Sequence, residues 1–283
     1  LNARLITGDV TDKSSLLEGM KGCNWVVNVA NIYTFWEPDK KIYHRVNVEG
    51  TRNVMEVALE SGASKVVHVS TVGIWGTPKE SPITEDTPVA DRRFSQYCES
   101  KYQGDLIAWE LYKTKGLPLV MIYPCVVSGP GDKKTSGATI ELLINRKMPA
   151  IGLLDSVLTY VHVRDVAEAI FRATENAGNI GEKYIGGKEQ VVCRDVGRMI
   201  CDISGVPLPK LCMPDTLLLF NARLFTWLSD IVKKPPLLNM AWDSIRTIKG
   251  GLKADGSKAE RELGITYTPV RVAVEDAIKS LKR

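Results

Sequence analysis

Four short apolar runs, separated by stretches with helical spacing, constrain this chain more than any other feature. They are residues 3–8 (ARLITG), 25–30 (WVVNVA), 65–70 (KVVHVS) and 118–123 (PLVMIY). Between them, residues 13–21 carry Leu16, Leu17 and Met20 at helical intervals, and residues 47–59 and 97–112 continue the same period. Nearly uninterrupted apolar strands that alternate with helices cannot pair as hairpins, so the pattern predicts parallel pairing with helices on both faces, a doubly wound α/β sheet. Ligands of such sheets gather beyond the carboxyl ends of the strands. The polar residues that follow the runs, Asp9, Asn31, Thr71 and Pro124, are therefore the first to consider.

A hydrophobic content of 44% is enough to cover such a sheet with a core, and 37 basic against 33 acidic residues leave a scattered net charge of +4. That charge is too small and too dispersed for a nucleic-acid partner. The six cysteines form no C-x-x-C pair and Cys125 ends an apolar run, so reduced thiols are expected, with neither disulfides nor a metal site. Residues 3–12 carry charge where a secretory signal would be apolar, which together with reduced thiols leads us to expect a cytoplasmic protein. Residues 217–232 are strongly apolar but short for a membrane span and interrupted by Asn221, Arg223 and Asp230, so we expect a helix of a substrate lid here rather than membrane contact.

Tyr97 and Lys101 stand four residues apart in a helical stretch, which puts a phenol and an ammonium on one face. An ammonium beside a phenol favours the phenolate and is expected to lower its pKa from near 10, making the tyrosine a usable acid/base. Tyr184 and Lys188 share the spacing, but Gly186 and Gly187 between them break any helix, so no common face is expected there. Thr71 directly follows the third apolar run, from which its hydroxyl can donate to a substrate oxygen. Asn47 is expected to open the preceding helix and to order water near the lysine. Pro124 presents a rigid backbone with no N–H.

Seven motifs in order are similar to those of the extended short-chain dehydrogenase/reductases, the NAD-dependent epimerase/dehydratases. Gly8-Asp9-Val10-Thr11-Asp12 resembles the family's adenine-contacting segment, and residues 26–31 (VVNVAN) its V-F-H-x-A-A strand end, with Asn28 in place of histidine. NVEGT at 47–51, HVSTVGIWG at 68–76 and YCESK at 97–101 resemble its N-V-x-G-T, its serine or threonine strand and its Y-x-x-x-K. YPCVVSGPGD at 123–132 and YVHVRDVA at 160–167 resemble R-P-x-x-V-Y-G-P-G-D and V-H-V-x-D-V-A. The resemblance implies Tyr97 as acid/base, Lys101 as its activator and a ribose contact, and Thr71 as second donor. It implies Asp9 and Val10 beside an adenine, Ala30 and Asn31 near phosphate or ribose, and Pro124 and Val127 along a nicotinamide. His162 and Asp165 are expected to join lid and core rather than act in chemistry.

No G-x-x-G-x-x-G occurs in the chain. We therefore expect a Rossmann-type sheet lacking its first βαβ portion, the sequence starting part-way through the fold, with residues 3–8 and 25–30 as the strands flanking the gap. Residues 1–132 would form the dinucleotide-binding core and 133–283 mainly a substrate-binding lid, with about 157–188 returning to the core. SKAERELG at 257–264 resembles the family's closing motif. The activity expected is hydride transfer between NAD or NADP and a secondary alcohol/ketone of a small organic substrate; choosing between the cofactors depends on a strand end the sequence does not contain. Alternatives are an NAD-dependent sugar epimerase and a cofactor-free scaffold. Val72 and Gly73 stand where a sugar dehydratase has an acidic pair, which sets that reaction aside. A homodimer through residues 47–59 and 97–112 would be usual for what this chain resembles.

Overall fold

The computed structural model describes residues 3–77 and 79–282. Along the chain, α1 (Lys13–Met20) precedes β1 (Trp25–Asn28), and a π-helical stretch, Tyr43–Glu49, runs directly into α2 (Gly50–Glu60). Then come β2 (Lys65–Val69), a 3₁₀ turn at Val72–Trp75, α3 (Gln96–Lys115), β3 (Leu119–Pro124), β4 (Val126–Ser128) and α4 (Thr135–Ile144). They are followed by β5 (Val157–His162), α5 (Val163–Glu175), β6 (Lys183–Gly186), β7 (Glu189–Val192) and α6 (Cys193–Ser204). The chain closes with α7 (Asp215–Val232), α8 (Trp242–Gly250), α9 (Ser257–Leu263) and α10 (Val270–Leu281).

A parallel sheet in the order β1-β2-β3-β6 forms the centre, with Val26 opposite Val66, Val67 opposite Val120 and Ile122 opposite Tyr184. Every residue of β3 is buried, as expected of a strand with helices on both sides. Val166, Ala169 and Ala173 of α5 are buried in the packing of that helix against the sheet, small side chains that let the helix sit close. A second sheet, β4-β5-β7, pairs β4 with β5 in parallel and β5 with β7 antiparallel.

α3 carries the end signals its sequence predicts. Ser95 accepts a hydrogen bond from the Cys98 N–H at one end, and Gly116, with φ 68°, closes the other. At Gly104 this helix passes so close to the π-helical stretch that a Cβ would lie 2.6 Å from the Asn47 carbonyl oxygen, and at Gly50 a Cβ would meet Val10 at 2.7 Å. These two contacts seat the Asp9-Val10 loop and α3 against the same helix.

The structure corrects two expected elements. Residues 3–8 are not a strand: they pair with no strand among the described residues and Leu5 is 95% exposed. An apolar segment becomes a strand only when a neighbour takes its N–H and C=O groups, and none of the described strands lies there. Nor does Asn47 open a helix, since it lies within the π-helical stretch, three residues ahead of α2.

Candidate active site

The site forms where β1 and β2 end, against the first two turns of α3. Tyr97 and Lys101 occupy one face of α3 and both are buried, 7% and 1% exposed. Thr71 caps the 3₁₀ turn: its Oγ1 accepts the Gly73 N–H at 3.2 Å, and its hydroxyl lies near enough to the Tyr97 phenol to act on its pKa. Gly73 is what permits this approach, because a Cβ there would come within 2.5 Å of Cys98 Sγ. Tyr33 and Phe35 pack on the Tyr97 ring at 5.0 and 6.2 Å, and Tyr43 and Ile32 complete the apolar cluster around it.

Burial pushes the Tyr97 pKa well above its usual 10, while the Thr71 hydroxyl pulls it down by less. The lowering expected from Lys101 is thus not what this arrangement produces. Its ammonium donates to the Val69 carbonyl at 2.9 Å and lies 3.5 Å from His68 Nε2, so its charge is committed on the strand side. Burial in turn draws the Lys101 pKa down to about 8, with Asp105 opposing the shift.

Behind the lysine lies a buried polar network that the sequence reading did not identify. The Ala30 N–H donates to Asn28 Oδ1, which turns the Asn28 amide nitrogen toward His68 Nδ1, 3.1 Å away. An Nδ1 that accepts must carry no proton, so His68 holds its proton on Nε2, which faces both Lys101 and Asp105 Oδ1, each 3.5 Å away. Burial and the nearby ammonium depress His68 to about 4, keeping it neutral at pH 7. Asp105 Oδ2 accepts the Ser70 hydroxyl at 2.7 Å. One signal for Asp105 was present: it follows Lys101 by four residues, as Lys101 follows Tyr97.

Asn47 has a different task from the one expected. It is fully buried; its Oδ1 accepts the Ile32 N–H, and its amide nitrogen donates to the Ile32 carbonyl and to Ser100 Oγ. With those bonds made, it ties the loop after β1 to α3 and has little left to offer a water near the lysine. Asp9 is exposed and binds its own turn, the Thr11 N–H and hydroxyl both donating to its Oδ1, which lowers its pKa. Val10 is held from behind by the Asn53 amide, which donates to the Val10 carbonyl at 2.9 Å. Ala30 is exposed at the end of β1, and beside it Asn31 donates to the Val29 carbonyl, while Asn31 Oδ1 is buried and has no donor among the described residues. Pro124 ends β3 opposite Gly186, and Val127 is half-buried in β4.

Next to the Tyr97 end of α3, a cleft is lined by Phe35, Lys40, Tyr43, Gln96, Trp242 and Asp243, with Thr226 and Asp230 from α7. Its polar groups are largely spoken for: Asp230 accepts the Trp36 indole N–H at 2.9 Å, Thr226 the Trp242 N–H at 2.8 Å, and Asp243 the Gln96 N–H at 3.0 Å.

His162 and Asp165 join elements at a distance from the cleft. His162 Nε2 lies 3.5 Å from Asp276 of α10, and Asp165 accepts the Thr268 N–H and hydroxyl at 2.7 and 2.8 Å. Tyr184 sits in β6, and Lys188 pairs with Glu260, so these two share no helical face. All six cysteines are free thiols.

Residues 1–186 match the profile described as the NAD dependent epimerase/dehydratase family. The crystal structure of gox2253 is similar to this chain with a TM-score of 0.83 at 34% identity, over 100% of this chain and 85% of that one. Sterol demethylase protein B of Methylococcus capsulatus (strain ATCC 33009 / NCIMB 11132 / Bath) is 27% identical over 278 residues, 96% of this chain and 82% of its own. Cinnamoyl-CoA reductase 1 of Petunia hybrida is 27% identical over 291 residues, 98% of this chain and 76% of its own.

Proposed function

This chain belongs to the NAD dependent epimerase/dehydratase family, and on that premise we propose that it interconverts a secondary alcohol and a ketone on a small organic substrate, with Tyr97 as acid/base. The observation that carries this reading is the Thr71 hydroxyl beside the Tyr97 phenol, inside a cluster of aromatic rings. Two oxygen donors that meet each other can both meet one carbonyl oxygen placed beside them.

The residues fit a nicotinamide dinucleotide. Asn31 Oδ1, a buried acceptor with no donor among the described residues, is suited to a ribose hydroxyl or an amide. Asp9 and Val10 would hold the adenine side, Ala30 and Asn31 the middle, Lys101 a ribose, and Pro124 and Val127 the nicotinamide. When bound, that group supplies the hydride.

The protein's share is proton handling. Tyr97, its pKa raised by burial, keeps its proton at neutral pH, the form that carbonyl reduction requires. It gives that proton to the substrate oxygen, and Thr71 holds the same oxygen with its hydroxyl. Asn47, through Ile32 and Ser100, holds the loop and the helix in register for this. The cleft walls of Phe35, Tyr43 and Trp242, with their polar neighbours already paired, suit an apolar carbonyl compound better than a hydroxyl-rich sugar. Dehydration is disfavoured because an acid at position 73 would collide with Cys98 Sγ. The name of the petunia relative, a reductase, agrees with this direction.

The test is carbonyl-dependent oxidation of NADH or NADPH. Tyr97→Phe should abolish turnover while leaving dinucleotide binding intact, and Thr71→Val should slow it on the order of 10²–10³-fold. Full turnover by Tyr97→Phe would refute the role given to the phenol. A sugar substrate epimerised with no net change in the dinucleotide would replace reduction by epimerisation.

A further inference from the structure

α7 packs Leu218, Leu219 and Ala222 with Leu153 and Ile245, yet leaves a second apolar face uncovered. Nine of its residues are exposed, and seven of them are large and apolar: Leu217, Phe220, Leu224, Trp227, Leu228, Ile231 and Val232. At 100° per residue they fall within a single stripe down the helix. Polar residues on the opposite side of the helix bond to neighbouring elements. Asp215 pairs with Lys249 of α8, Thr226 accepts the Trp242 N–H, and Asp230 accepts the Trp36 indole and pairs with Lys40. The packing of Leu218, Leu219 and Ala222 with Leu153 and Ile245, together with these bonds, fixes the rotation of α7 and leaves the stripe outward.

We propose that this stripe docks the protein on an anionic lipid bilayer, with α7 lying in the plane of the interface. Three features select that occupant. The stripe holds aliphatic side chains and phenylalanine with one tryptophan, the mixture that enters the boundary between headgroups and acyl chains. Both acids of α7 are neutralised by lysines, whereas Lys233 and Lys234 stand exposed at its C-terminal end, so the charge left beside the stripe is positive. The apolar surface also continues past the helix, where Leu237 and Leu238 are exposed. No helix among the described residues is long and apolar enough to cross a membrane, which makes this a peripheral attachment. Thr226 and Asp230 line the cleft from the opposite side of α7, so docking brings the cleft within about one helix diameter, ~10 Å, of the lipid.

The experiment is co-sedimentation of the whole protein with vesicles of phosphatidylcholine alone and with phosphatidylglycerol added. The expected result is binding to the anionic vesicles, reduced at least about tenfold in Phe220→Glu/Trp227→Glu and weakened by Lys233→Ala/Lys234→Ala or by raised salt. Thermal melting should be unchanged in both variants, since all four side chains are exposed. Absence of wild-type binding to either vesicle would overturn the proposal. So would a wild-type dimer that Phe220→Glu/Trp227→Glu converts to monomer, because the stripe would then belong to a second copy of the chain.

Discussion

Replacing Asp105 by asparagine removes the buried carboxylate that faces the Lys101 ammonium across His68, at nearly constant shape. Lys101 Nζ and Asp105 Oδ1 each lie 3.5 Å from the same His68 nitrogen, so they are at most about 7 Å apart. At an effective dielectric of about 20, opposite charges at that distance attract by at least about 2 kcal/mol, equivalent to between one and two pH units. Lys101 already titrates at about 8 because burial disfavours its charge, and the carboxylate holds it from falling further. Asp105→Asn should therefore move its titration toward about 6, so that at pH 7.5 most of the lysine is neutral. The readout is kcat/KM for the dinucleotide against pH, which reports ionisations of the free enzyme. The wild type should lose activity as pH rises through about 8, and Asp105→Asn should lose it one to two units lower, with turnover recovering in acid. An alkaline limb that stays near 8 in the variant would refute the reasoning, since it would mean that Asp105 does not sustain the lysine's charge.

Gly73→Ala should destabilise the protein by about 1–3 kcal/mol, seen as a lower melting temperature, because its methyl group meets Cys98 Sγ at 2.5 Å. Gly73→Ala/Cys98→Ala should recover most of that loss. His68 titrates at about 4 when folded and near 6.5 when unfolded, so its contribution to stability is complete above 6.5 and is lost as pH falls toward 4. That amounts to about 3 kcal/mol, and denaturant melts across this range should show a shallower acid slope in His68→Gln.

Much of the sheet was legible because its signal is local. The buried strands β2 and β3 announce themselves as unbroken apolar runs, and α3 by its Ser95 cap, its helical spacing and Gly116. Tyr97 and Lys101 share a face because helical geometry alone puts residues four apart on one side. Residues 3–8 show the limit of this logic: the same apolar character yields no strand, since pairing depends on a neighbour and not on the segment itself.

The amino-acid sequence by itself determined the parallel α/β class, the ordered motifs at the strand ends and the pairing of Tyr97 with Lys101, all consequences of spacings shorter than one helix. Tertiary structure alone decided what those groups face. Burial, a property of everything packed around Tyr97, raised the phenol that spacing predicted would fall, and a strand carbonyl took the ammonium meant for it. Asn28, His68 and Asp105 come from three separate elements, so no local pattern could join them into a network. The outward stripe of α7 is likewise set by partners far along the chain, Trp36 and Lys40 holding Asp230 inward, because a helix's rotation about its axis depends on contacts its own sequence does not contain.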